Sequence, residues 1–320
     1  MAANVEKSAG GVMRFEPLRS KMRSGLEAHL DKAAQAYLGD PSLTRMDFSR
    51  PVGEAALSGC DSVSWRIFKN PVTLFIGGVA AVILELAEPR VRSGVWEHSN
   101  FRKDPVGRLK RTGLAAMVTV YGARSEAEAM IARINAIHDR ISGVTTAGAP
   151  YHASDSELLT WVQATAAFGF LEAYSAYAFP ISDVERNRYY GESVKSATLY
   201  GATSAPRSLA EQAALFGAMT DKLEASEIIF EFLSIMKKAE AFPQPAQIAQ
   251  HSLVRAAVEL VPGRIRGILG LDRRYGLRPF EGRVVRRMAR RADRLVLKSG
   301  PAATSCRRLG LPDHYLYRRP

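Results

Sequence analysis

The run from Val72 to Leu84 is apolar over thirteen residues except for Thr73, is closed by Glu85, and lies between Pro71 and Pro89. A helix that crosses a bilayer needs roughly 18–20 apolar residues, so this run is too short to span one. It is expected to form a helix buried within a globular fold, because a helix that is apolar all round has no face to give to water. Inside it, Gly77-Gly78 lowers helix propensity but lets something flat or bulky approach the backbone closely.

The rest of the chain supplies the helices that such a segment must pack against. A Ser is followed three residues later by Glu at Ser125/Glu128, Ser154/Glu157, Ser182/Glu185 and Ser208/Glu211, each ahead of an apolar-periodic segment. These pairs are expected to be capping boxes, in which Ser and Glu satisfy the amides left open at a helix start. Apolar residues then recur every three or four positions, as at Ile228, Phe232, Ile235 and Met236, and nothing alternates with period two. Turn signals separate the segments at Gly143 to Pro150, Phe179-Pro180, Gly201 to Pro206 and Phe242 to Pro245. The expectation is an all-α, single-domain bundle of about eight to ten helices. Residues 1–50 are read as an N-terminal helical extension, 51–240 as the core, and 241–320 as a basic C-terminal region packed on that core.

With 320 residues and 47% hydrophobic content the chain can bury a sizeable core. Its formal charge of +12 is an appendage: residues 255–320 hold 17 Lys and Arg against 5 Asp and Glu, and the remainder balances. There Val284, Val285, Met288, Ala292 and Leu295 form an apolar stripe flanked by Arg283, Arg286, Arg287, Arg290, Arg291 and Arg294. That pattern fits either a docked helix with a solvated face or a surface for anionic membrane or nucleic acid. No helix-turn-helix or aromatic stacking platform supports nucleic acid. Cys60 and Cys306 are far apart in sequence, which argues against a disulfide framework or a cysteine zinc site and suits a reducing, cytoplasmic setting. Met1 to Arg19 has no apolar stretch of the kind a signal peptide carries.

Few residues suggest chemistry by themselves. On the helix expected from Ser125, His138 falls in a stripe with Met130, Ile131, Ile134, Ile137 and Ile141. A buried imidazole needs both nitrogens satisfied, either by a metal ion and a hydrogen-bond acceptor or by ordinary core hydrogen bonds. The pattern leaves both open. Arg108 and Thr112 lie four apart on a helix begun after Asp104-Pro105, where a cation and a hydroxyl on one face suit a carboxylate or an oxygen ligand. The alternative is a surface ion pair and a Thr bonded to its own helix. His98 and His152 sit in loop-like contexts and are read as solvated. Nucleophile triads, Walker loops, Gly-rich dinucleotide turns and Cys-x-x-Cys-His are all absent.

The chain from about Pro51 to Arg207 resembles the latex-clearing-protein and MpaB-type oxygenases. The resemblance rests on Glu97-His98-Ser99-Asn100-Phe101, Asp104-Pro105, Arg108 with Thr112, and the His-x-x-x-x-Gly element from His138 to Gly143. Tyr151, Asp155, Trp161 and Asp183 to Tyr190 extend it, and Val261 to Arg266 is a weaker echo. It implies an all-helical fold enclosing a pocket for non-covalent haem b, with His138 as the proximal iron ligand and Arg108 and Thr112 affecting haem retention or activity. The implied reaction is oxygenation of a hydrophobic, unsaturated substrate by dioxygen or peroxide.

The chain also departs from the family. Where latex-clearing proteins place a lysine directly before the Thr, this chain has Arg111, which keeps its proton and is not an iron ligand. The family's proposed glutamate base has no counterpart fixed by alignment, since Glu88, Arg92 and Glu97 all fall near its place. Polyisoprene cleavage does not follow, and a small terpenoid is equally compatible. A non-catalytic haem or lipophile carrier is the competing reading, and peripheral membrane contact through the basic C-terminal helix is a third.

Overall fold

A computed structural model describes residues 31, 46–241 and 246–317. The protein is all-α, and one cluster of buried side chains runs from Phe48 to Cys306. Thirteen α-helices occur among the described residues, more than the eight to ten expected. The surplus comes from short helices such as α1 (Val63–Phe68) that carry too few residues to show a period. The Phe242 to Pro245 turn signal and most of the N-terminal extension lie outside the described residues.

The apolar run becomes the central helix α2 (Pro71–Ala87). Pro71 at its first turn donates no amide, while the Asn70 side chain accepts from the Val72 and Thr73 amides at 3.1 and 3.2 Å. Glu88 then ends α2 and opens α3 (Pro89–His98), its carboxylate accepting from the Val91 amide at 2.7 Å. The chain bends by 112° there, and among the described residues no single helix is long and apolar enough to cross a membrane.

Next come α4 (Pro105–Tyr121), α5 (Arg124–His138) and the antiparallel strands β1 (Ser142–Val144) and β2 (Pro150–His152). Too short to show a period of two, the hairpin occupies part of what the sequence shows as a turn. After it, α6 (Ser156–Tyr177) runs against α2 at a glycine crossing. A β-carbon on Gly77 would lie 2.7 Å from the Gly169 carbonyl oxygen, so both backbones touch directly. The close approach that Gly77 permits is therefore by another helix.

The remaining helices are α7 (Asp183–Leu199), α8 (Leu209–Met219), α9 (Glu227–Lys238), α10 (Gln250–Leu260), α11 (Gly263–Ile268), α12 (Glu281–Ala292) and α13 (Pro301–Arg308). α9, α10 and α12 cover α2, while α13 packs on α4. The capping expectation holds in full at α7, where Ser182 and Glu185 satisfy each other's amides. At α8, Ser208 caps the Glu211 amide, but the Glu211 carboxylate takes the Arg207 amide instead of that of Ser208. It fails at α5 and α6. Ser125 is bound by Glu54, whose carboxylate accepts its amide and hydroxyl at 2.6 and 2.9 Å, and Asp155 caps α6 in place of Ser154.

Candidate functional site

Arg108 acts on two ionisable side chains from two other helices inside the fold, Glu85 and His138. Glu85 stands near the end of α2, Arg108 in the first turn of α4, and His138 at the last residue of α5. Burial pushes the Glu85 carboxyl up to about 7, an effect the Arg108 charge opposes. Burial likewise lowers the Arg108 guanidinium, against the pull of Glu85. His138 is lowered too, first by burial and then by Arg108. Both effects favour the neutral imidazole, the form able to ligate a metal.

Among the described residues, the side chains of Glu85, Arg108 and His138 make no hydrogen bond to protein and no ion pair within 4.0 Å. The Nδ1 of His138 is buried without a partner. Glu85 and Arg108 are surrounded by protein yet keep some solvent-accessible surface. Leu74, Gly78 and Val82 precede Glu85 at intervals of four, four and three, and all are half-buried, as is Phe75, on a helix that is otherwise buried beyond Pro71. Beside Gly78 the first atom a β-carbon would meet is Phe170 Cε1, at 3.9 Å.

His138 is half-buried rather than set in an apolar stripe. Only Ala127 and Ile131 of α5 are fully buried, and Ile137 is 58% exposed, because the last turn of the helix leaves the core. Of the residues singled out on α4, Arg108 lies by His138 and the other two point elsewhere. The Thr112 hydroxyl donates to the Arg108 carbonyl at 3.0 Å, and Arg111 pairs with Asp104 at 3.4 Å.

A second cluster lies just beyond. The hydroxyl of Tyr151 on β2 donates to Glu97 at 3.2 Å and lies 3.0 Å from His98 Nε2. With its proton committed to the carboxylate, the Tyr151 oxygen accepts from the imidazole. His98 thus ends α3 with a defined partner, where the sequence suggests a solvated loop. The ring of Tyr151 occupies the space a side chain at position 143 would need: a β-carbon there would lie 2.5 Å from the phenolic oxygen. Gly143 is therefore a steric requirement of the hairpin that follows His138. His152 is exposed, its Nδ1 accepting the Ser154 amide at 3.2 Å.

Glu85 is missed by sequence reasoning because it reads as the end of an apolar run. Its phase with Gly78 and Val82 is the signal that could have found it. Among the described residues no three His, Cys, Asp or Glu gather to hold a bare metal ion. A single histidine retains iron only where the other donors arrive with the metal, as in a porphyrin. The unpartnered His138 nitrogen and the neighbouring Arg108 cation fit that requirement.

The sequence model of a family described as ER-bound oxygenase mpaB/B′/rubber oxygenase, catalytic domain, matches residues 65–294. No curated protein and no solved structure gives a match.

Proposed function

The chain belongs to the mpaB/rubber oxygenase catalytic-domain family, and from that premise we propose that it is a haem b-dependent oxygenase acting on a hydrophobic, unsaturated small molecule. The observation that carries the haem reading is the buried, unpartnered Nδ1 of His138 within electrostatic reach of Arg108. In this reading His138 would hold the iron through a ring nitrogen, and Arg108 would hold a propionate, giving its buried charge the direct partner it lacks among the described residues.

When bound, the haem supplies dioxygen or peroxide activation. Histidine ligation lacks the electron push of a cysteine thiolate, which favours an electron-rich double bond over an unactivated C–H bond. The chain's own part is to bind, exclude water and manage a proton. Leu74, Gly78 and Val82 offer an apolar wall to the ring or the substrate. Glu85, with its carboxyl near 7, can hold a proton at a carboxylate oxygen or release it at neutral pH. Thr112 and Arg111 enter this reading only as neighbours of Arg108 on α4.

Protein expressed with ample haem precursor is expected to show a Soret band, and His138→Ala to lose most of it while keeping its helical circular dichroism. A colourless wild type would sink the haem reading. Oxygen uptake with candidate alkenes then separates an oxygenase from a haem carrier, which would bind haem but consume no oxygen.

A further inference from the structure

Helix α12 buries Val285, Ala289 and Ala292 and turns its opposite side outward. On that outer side lie Phe280, Val284, Arg287 and Arg291 at spacings of four, three and four, with Arg283 beside them, and all five are exposed. Phe280 is 72% exposed and Val284 51%. Among the described residues Arg283, Arg287 and Arg291 make no ion pair. The nearby acids are already engaged, Glu281 by Arg255 and Ser252, and Asp293 by Lys69. The row is therefore an uncompensated strip of positive charge with two apolar side chains at one end.

Phe280 has a backbone φ of 70°, alone among the non-glycine described residues in being left-handed. That conformation strains any residue with a β-carbon, and strain of this kind persists where function requires it. Here the ring is not rewarded by burial within the fold; it projects into water, with the Arg283 guanidinium 5.5 Å from its centroid.

We propose that this face of α12 docks on the surface of an anionic lipid bilayer, its arginines meeting headgroup phosphates while Phe280 and Val284 enter the acyl boundary. A nucleic-acid backbone would engage the arginines but give the apolar pair nothing. A bilayer offers phosphate and hydrocarbon in adjacent planes, matching both halves of the strip. The site is independent of the haem reading, and would bring the protein to where an apolar substrate partitions.

The test is co-sedimentation of the full chain with vesicles of phosphatidylcholine alone or mixed with phosphatidylserine. Binding is expected to the mixed vesicles, to weaken with added salt, and to fall by roughly tenfold or more in Arg287→Glu/Arg291→Glu. Phe280→Gly separates this role from a structural one: it relieves the backbone strain, so its melting temperature should hold or rise while vesicle binding falls. Equal binding to both vesicle types, or full binding by Phe280→Gly, overturns the proposal. So does duplex DNA that competes the vesicles away with an affinity indifferent to Phe280→Gly, which would mark a nucleic-acid surface instead.

Discussion

A carboxyl that titrates near 7 in the folded chain and near 4.5 when unfolded makes Glu85 a source of pH-dependent stability. The folded state holds the proton more tightly, so the stability that this confers is complete below 4.5 and is lost as the pH rises through 7. Glu85→Gln cannot ionise and keeps it. Urea titrations are expected to show the variant matching the wild type in acid and exceeding it by about 2 kcal/mol above neutrality, allowing for the partial exposure of Glu85. An equal offset at both ends of the range would mean that ionisation is not the cause. At the same scale, Gly143→Ala sets a methyl 2.5 Å from the Tyr151 oxygen and must displace the ring from Glu97 and His98. A loss of about 2 kcal/mol is expected in thermal melts, together with weaker haem retention if the hairpin steadies His138. Glu85 is legible in the sequence only through its phase with Gly78 and Val82, and the Tyr151 contact is not legible at all. A carboxylate after an apolar run looks like a helix end, and which ring fills the space beside a glycine is decided by pairing across the hairpin.

The elements were more legible than their contacts. The apolar run implies a buried helix, and Gly77-Gly78 implies close approach, but Gly169, which meets Gly77, is ninety-two positions away and has no local signature. Ala is the better helix former by about 1 kcal/mol, so Gly77→Ala would stabilise an isolated helix. In the protein its methyl meets the Gly169 carbonyl at 2.7 Å and must part α2 from α6. Overpacking wins, with an expected net loss of about 2 kcal/mol or more in denaturant unfolding. A stabilised Gly77→Ala would show that the crossing can relax. Caps divide on the same principle. Ser182 with Glu185 is a contact within four residues and reads directly from sequence, whereas Ser125 is claimed by Glu54, seventy-one positions earlier, and loses its capping role.

At the scale of the whole molecule, the helical class follows from patterning alone, because the three-to-four spacing recurs through every long segment. The coupling of Arg108 to both His138 and Glu85 does not: it exists only once α2, α4 and α5 are packed. The way the chain closes is equally a tertiary fact. Arg308, at the end of α13, is 1% exposed and has no carboxylate partner within 4.0 Å among the described residues; its guanidinium donates instead to three carbonyls. These are Glu54 at 2.9 Å, Phe48 at 3.0 Å and Tyr121 at 2.8 Å, while the Gly53 amide donates back to the Arg308 carbonyl at 2.8 Å. Segments from either side of the 65–294 region are thus clasped over the end of α4. Arg308→Met keeps the bulk but strands the three acceptors, at an expected cost of about 3 kcal/mol or more. Arg308→Lys should restore little, since an ammonium cannot reproduce the guanidinium fork. Because the clasp lies at the edge of the fold, hydrogen exchange is expected to accelerate first in residues 48–56 and in α13, while α2 and α6 stay protected. Uniform acceleration through α2 and α6 would instead make Arg308 part of the global folding unit.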